Sequence, residues 1–461
     1  MKKSFFPLLL VFFVLSSVQA FADFPISQGL FWEYETAPRA AYNLQNDEFL
    51  VVWNAFNLLY SPSDLNFFGP VRGQRIKASG ELIGTPFDII YAGVLADVAY
   101  NANQDEYLVV AEQWYNTVGQ RLDASGNKIG GQVTLISSAR YPRVIYNSLL
   151  HNYLVTGVGN VPGGSCDIYT IQVDAYGSPI GSATNVTTGL GGSCNDPIYS
   201  IAYAPLETPD SLHGQTLTPG GRYLLAGGPK SLMWLDSHGK VIPVVYAWGV
   251  WYNEIPFMPE DGANPLESYN IDVAYGGNSF ALAWSETGGH KFCGFPWKGV
   301  MGSFLDADRT YFLNNETENS GVFPISWIAD HWVDQGYNPE EGYAYKDWRA
   351  KVAYNAAAKK FVVAWRETPS TDPANDTTVN HIRVDILHGI CPQKNIVVSS
   401  TTGTEDPKLP FITSSTTSLK VLVGWEDHRD LVGRIFGAFL DIPKPVITVQ
   451  PVGVTNLRLE N

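Results

Sequence analysis

The first 150 of the chain's 461 residues contain no histidine. Any site that depends on imidazole is therefore confined to the later part. Charge is scarce as well: Asp, Glu, Lys and Arg make up 16% of the residues, and 45 acidic side chains outnumber 30 basic ones, for a formal net charge of -15. Binding to a phosphate backbone needs clustered cations, so nucleic acid is not an expected partner. Beyond residue 22 no segment reads as a membrane span, which needs an apolar run of ~20 residues. The one strongly apolar stretch, MKKSFFPLLLVFFVLSSVQAFA, has two lysines, an apolar core from Phe5 to Leu15, and small residues Ala20 and Ala22 ahead of Asp23. That is the make-up of a cleaved secretory signal peptide, and its core is too short for an uncleaved anchor. Residues 1–22 are set aside, and the mature chain is expected to be secreted or periplasmic.

Rings and turn formers are plentiful. Aromatic residues reach 13%, with 43 Gly and 29 Pro, a balance that suits short strands joined by many turns. One phrase recurs: AYNLQNDEFLVVW, AYNANQDEYLVV, VIYNSLLHNYLV, IAYA, VAYGGNSFALAW and VAYNAAAKKFVVAW. It puts Tyr42, Tyr100, Tyr146, Tyr203, Tyr275 and Tyr354 at equivalent positions roughly 45 to 80 residues apart, with Ile412 in a divergent seventh copy. In the second copy VAY, EYLVVAEQ, TVGQRLD and KIGGQVTLI read as four strands, the last two joined by the turn ASGN. The second strands FLVVW, YLVVA, FALAW, FVVAW and VLVGW are apolar throughout. Such strands are covered on both faces, as in sheets stacked around an axis. The expected fold is all-β, a β-propeller of about seven four-stranded antiparallel blades forming one domain over 23–450, with a tail over 451–461. An open solenoid is the competing arrangement. DFPISQ at the mature N-terminus resembles VFPISW at 322–327, where the fifth unit's fourth strand belongs. The N-terminal segment is thus expected to pair with GRIFGAFLD of the last unit and close the ring, with PVITVQ (445–450) as competitor.

The xEYLVVW strand followed by a GQRxDAxG strand and turn, together with WEDHRDLVGRIFGAFLD (425–441), resembles the tandem repeats of exported bacterial β-propeller proteins. The resemblance covers nearly the whole mature chain and implies fold and export. Activity does not follow, since propellers host binders and enzymes of many kinds. The SxDxGxxW boxes of sialidases are absent, which counts against that chemistry.

In such a fold the second-to-third connections and those leading to the next blade share one face, and long insertions there are informative. They are expected at 54–70, 247–265, 286–299, 319–348 and 366–380. These segments hold the candidate ligand-binding residues Trp248, Trp251, Tyr252, Trp297, Trp332, Tyr337, Tyr343 and Trp348, with Asp330 and Asp334 beside them. Flat aromatic faces bordered by acceptors suit a sugar, whose C–H patches stack on rings. The expected function is binding of a glycan or a partner protein through this face. A polysaccharide-degrading enzyme is the alternative: a hydrolase would need two carboxylates at catalytic separation, a lyase a His or Tyr base with a cation. No catalytic residue and no cofactor is assigned.

Cys166 and Cys194 both stand in GGSC and are expected to form a disulfide in an exported chain. HKFC (His290, Cys293) and HGIC (His388, Cys391) together present a zinc-like ligand set. Strand order assigns them to opposite faces, so no metal is expected. DASGN, DAYGS and DADRT lack the ligand spacing of a calcium loop and read as turns.

Overall fold

The computed structural model describes residues 23–29, 32–57, 69–160, 166–187, 199–206, 211–212, 215–216, 219–227, 231–245, 251–252, 255–256, 268–292, 295–306, 322–324, 350–367, 381–387, 396–399, 408–429 and 432–443. They form seven four-stranded antiparallel sheets and two small ribbons. No helix among them is long and apolar enough to cross a membrane. The first strands of the seven sheets are Glu33–Asn43, Val94–Asn101, Ala139–Asn147, Tyr199–Ala204, Ser268–Gly276, Lys351–Asn355 and Lys408–Ser414. Each packs against the first strand of the blade before it and the blade after it, and the seventh returns to the first. That closed cycle makes the fold a seven-bladed β-propeller with the first strands around its axis.

The ring closes through the N-terminus. Phe24 lies opposite Gly437 and Pro25 opposite Phe436, so Phe24–Pro25 is the outer strand of blade seven. In blade five Phe323 faces Gly302 and Pro324 faces Met301, so the two FP pairs occupy the same register. This is the pairing that DFPISQ and VFPISW lead one to expect. The competing segment 445–450 lies outside the described residues, as do residues 1–22, expected as a signal peptide, and the expected tail 451–461.

The recurrent tyrosine is explained by the inner hairpin of each blade. Tyr42, Tyr100, Tyr146, Tyr203, Tyr275 and Tyr354 lie directly across from Phe49, Tyr107, Tyr153, Tyr223, Phe280 and Phe361. All six ring pairs are tilted, with centroids 4.8–5.5 Å apart, the cross-strand aromatic contact that stabilises antiparallel pairs. The Tyr42 and Tyr100 hydroxyls donate to Asp47 and Asp105 at 2.7 and 2.8 Å. Both aspartates hold φ near +50° at the end of the turn. In blades one to three the Asn that follows the tyrosine turns its side-chain oxygen onto two turn amides, as Asn43 does for Gln45 and Asn46. In blade seven Ser415 does the same for Thr417 and Ser418, and Ser414 pairs with Val421. The position equivalent to the tyrosine is therefore Ser414 and not Ile412: without a ring to align on, the sequence register slips by two.

Two insertions also differ from expectation. Residues 286–299 are largely strand: Ser279–Phe292 and Phe295–Asp306 run on as one long hairpin, with His290 opposite Trp297. In blade four the outer strand begins with Val241 bridged to Leu235, breaks for an insertion, and resumes at Ile255–Pro256 opposite Leu232 and Ser231. Trp251–Tyr252 pair with Val244–Val245 as a ribbon inside that break. They interrupt an outer strand instead of following it, because the strand's two halves each keep their partners on the third strand.

Candidate functional site

Of the residues singled out from the sequence, Trp248, Trp332, Tyr337, Tyr343, Trp348, Asp330 and Asp334 lie outside the described residues. So do Cys194, Cys293 and Cys391. Trp251 and Tyr252 lie on the blade-four ribbon, Trp297 on the long blade-five hairpin, and Cys166 opens the third strand of blade three. His151 and His238 sit in hairpin turns, as turn chemistry suggests. Asp123 and Asp174 each spend a side-chain oxygen on two amides of their own turn, as Asp236 does, which accounts for DASGN and DAYGS; DADRT beyond Asp306 lies outside the described residues.

Strand order fixes which connections share a face. Second strands end, and first strands begin, on one side of the propeller. The connections 58–68, 325–349 and 368–380 therefore start and finish there. The inner hairpins on the other side are tight, such as 44–47, 102–105 and 356–359, except in blade four, where 205–221 includes the ribbon Ser211–Leu212 and Gln215–Thr216.

A polar centre that sequence reading missed surrounds the axis. Three residues before each recurrent tyrosine stand Arg39, Asp97, Arg143, Ser200, Asp272 and Lys351. In blades one, two, three and five the strand slips register immediately before this position. The slip follows a residue with φ of 52–54° in the first three: Ala37, Leu95 and Tyr141. A bulge of this kind re-aims the side chain after it. Asp97 accepts the Val144 N–H of the next blade at 3.0 Å, and Asp272 accepts that of Val352 at 2.9 Å. Ser200 is similarly placed, its Oγ 3.4 Å from the Val273 N–H. These side chains stitch neighbouring first strands, whose inner edges have no strand partner.

The cations alternate with them. Lys351 Nζ lies 3.1 Å from Asp272. Arg39 and Arg143 each donate Nη1 to the carbonyl of the proline before them at 2.9 Å, and the Arg143 guanidinium lies 5.6 Å from the Tyr199 ring centre. Burial pulls the Lys351 ammonium down to about 8 against the attraction of Asp272, and the positive charges of Arg39 and Arg143 add to the lowering. Blades one, three and six thus bring their cations within electrostatic reach of one another across the axis. The seventh position is apolar: Phe411 takes the register of Arg39 and is buried against blade one. The signal lay in the phrases RAAY, DVAY, RVIY, SIAY, DVAY and KVAY, where the residue before the apolar pair is polar every time.

A second polar cluster lies where blade seven meets blade one. Buried Glu426 accepts from Tyr34 Oη at 2.5 Å and from Thr36 Oγ1, and a hydrogen bond of 2.6 Å joins it to His428 Nε2. Buried Glu35 accepts from Ser27 Oγ and, at 3.0 Å, from Trp53 Nε1. Burial raises the Glu35 carboxyl above its usual range, with the Ser27 hydrogen bond, the Arg434 charge and the Trp53 hydrogen bond opposing. Arg429 bridges Asp23 and Asp427 at 2.8 Å each. A His, a Tyr and arginines therefore meet here, but the Tyr34 hydroxyl and His428 Nε2 both engage Glu426. The cluster is built as a clasp.

No protein-family model matches the chain, and no curated protein does. Among solved structures it is similar to Kuenenia stuttgartiensis hydrazine synthase, at 9% identity over 89% of this chain and 96% of that one, with a TM-score of 0.43. A neuraminidase-like protein from an A/bat/Guatemala isolate has 9% identity over 92% and 95%, TM-score 0.39. The GH43 endo-arabinanase from Bacillus licheniformis has 10% identity over 64% and 93%, TM-score 0.32. At these values the likenesses carry nothing about activity.

Proposed function

We propose that this chain is an exported propeller that binds a glycan through the face carrying its long connections. The observation that supports this most is the length of the connections on that face. Connections of 11, 25 and 13 residues (58–68, 325–349 and 368–380) belong to one side, while on the other six of the seven inner hairpins are turns of two to five residues and the long connections are 205–221 in blade four and 307–321 in blade five. Trp332, Tyr337, Tyr343 and Trp348 belong by sequence to the longest of these connections, and a rigid scaffold presenting variable loops is the usual arrangement for recognition. A polysaccharide-degrading activity on the same face is the second reading. The meeting of Tyr34, His428 and Glu426 on that side favours it only if Glu426 releases its partners.

The test is a panel of neutral and acidic polysaccharides presented to the purified mature protein, scored for retention and for new reducing ends or unsaturated products. Retention without products supports the binder, and products support the enzyme. If neither appears, both glycan readings fail and a partner protein is the occupant to seek.

A further inference from the structure

We propose that the turn Trp114–Tyr115 of blade two is a stacking platform for the sugar rings of a neutral polysaccharide; the inference rests on the reading of its face as glycan-binding. The turn joins the second and third strands of blade two, so it belongs to the face that carries the connections 58–68, 325–349 and 368–380. Gln113 lies opposite Asn116, which leaves a loop of two residues, and both hold positive φ, 50° for Trp114 and 63° for Tyr115. A two-residue hairpin turn with that backbone is the kind that Asn-Gly fills without strain. Large rings are unfavourable in this region, and burial does not offset the cost: Trp114 is 55% and Tyr115 56% exposed. Local stability therefore does not explain the pair. Presenting two rings to solvent on a rigid hairpin does.

The surroundings define the ligand. The Arg140 guanidinium lies 5.2 Å from the Tyr115 ring centre and 5.1 Å from that of Tyr141, and its Nε donates to buried Glu112 at 2.8 Å. Tyr115 is thus braced from one side by a charge that is already paired. Asn116 pins the turn, donating to the Trp114 carbonyl at 3.1 Å and accepting the Ser138 N–H at 3.0 Å. Beside it Gln132 Nε2 donates to Gln113 Oε1, which leaves the Gln113 NH2 group and the Gln132 carbonyl to pair with hydroxyls. Rings held in place, bordered by neutral amides above a compensated ion pair, suit a ligand with apolar C–H faces, many hydroxyls and no charge. In a chain of net charge -15 a polyanion is disfavoured further. Tyr91, 86% exposed, lies on the same face three residues before Val94, which pairs with Glu112. It offers a ring to a neighbouring sugar unit, which favours a polymer over a single sugar.

Affinity electrophoresis of the full mature chain tests this, in native gels cast with galactomannan, xyloglucan or β-glucan, and with alginate as the acidic polymer. Retardation by at least one neutral polymer and none by alginate is expected. Trp114→Asn combined with Tyr115→Gly should weaken it by about tenfold or more, the loss of two stacking rings. The thermal midpoint of that variant should stay equal or rise, because the turn loses its strain. Tyr176→Ala, which removes an exposed ring from a third-to-fourth strand turn on the opposite face, should leave retardation unchanged. Hydroxyl-radical footprinting of the unaltered protein should show the Trp114–Tyr115 peptide protected by the retarding polymer, and this decides alone if the double variant does not fold. No such protection, undiminished retardation of the folded double variant, or a preference for alginate overturns the proposal and leaves the glycan reading of the face standing. No retardation of the unaltered protein by any polymer overturns both.

Discussion

The seam between blades one and two and the seam between blades seven and one are built from different parts. In the early blades one device repeats. Arg75 grips Glu48 with two N–H groups at 2.9 Å and reaches the Ser125 carbonyl of blade two at 3.2 Å. The Gln74 amide meanwhile donates to the Arg75 and Ile83 carbonyls. Blade two copies it with Arg121, Glu106, Gln120 and the Tyr176 carbonyl of blade three. Gly73 and Gly119 complete the phrase, since a Cβ at either would come within 2.8 Å of an outer-strand side chain. Blade seven has Lys420, Ala438 and Phe439 at the registers of Glu48, Gln74 and Arg75. Its seam is made instead by the N-terminal arm. Ile26 is fully buried, Phe439 packs on Phe24 and Phe49, and Arg429 joins Asp23 from 406 residues away. Consecutive blades are held near each other by a short connection, so a repeated ionic strap suffices. The closing seam has only the entropy of a very long loop against it, and it is assembled from apolar area and buried hydrogen bonds.

Breaking the strap should have the largest effect. Arg75→Ala leaves Glu48, 3% exposed, without its cation, and orphaning a buried charge costs about 3–5 kcal/mol. Urea unfolding should show the loss, and Glu48→Gln in the same chain should restore much of it. No restoration would mean the strap acts through packing alone. Breaking the clasp comes next. Ile26→Ala removes a fully buried side chain at the closing seam, at about 3 kcal/mol. It should also leave the Phe436–Gly437 edge more open to proteolysis and hydrogen exchange than any early seam. Exchange that rises equally at all seams would show that closure is not a distinct unit.

The fold was legible because it is repeated: six tyrosines facing six rings, and second strands apolar throughout, left few alternatives to stacked four-stranded sheets. FPIS was legible as an outer strand because a second copy stood in the same place in blade five. The divergent blade was not, since Ile412 looks like a core replacement for tyrosine, whereas a serine at 414 holds the position and Ser415 holds the turn. The axial ring escaped for a related reason. Its residues belong to the repeat, where function was not sought, and they differ in charge from copy to copy, so no motif connects Arg39 with Asp97. What unites them is register and a bulge. The ring-bearing insertions, conversely, were conspicuous in sequence because they break the repeat.

The smallest expected effect concerns how late blades manage without the strap. Asp385 occupies in blade six the register of Gln74, and Ile386 that of Arg75. Burial pushes the Asp385 carboxyl up to about 7, with the Ile386 backbone N–H opposing. A protonated carboxyl has one O–H to donate, as the Gln74 amide donates its N–H groups, so Asp385 is expected to stand in for the amide only while it holds its proton. The sign follows. The folded state holds the proton more tightly than the unfolded chain, whose carboxyl titrates near 3.8. The contribution is complete below about pH 4 and is lost as pH rises through 7. Asp385→Asn, which keeps a donor at every pH, should therefore leave stability at pH 4.5 nearly unchanged and raise it at pH 8 by about 1 kcal/mol. Thermal unfolding of both proteins across that range measures the difference. A gain that is the same at both pH values would mean that the site favours the amide for its shape, and that the proton on Asp385 does not substitute for the early strap.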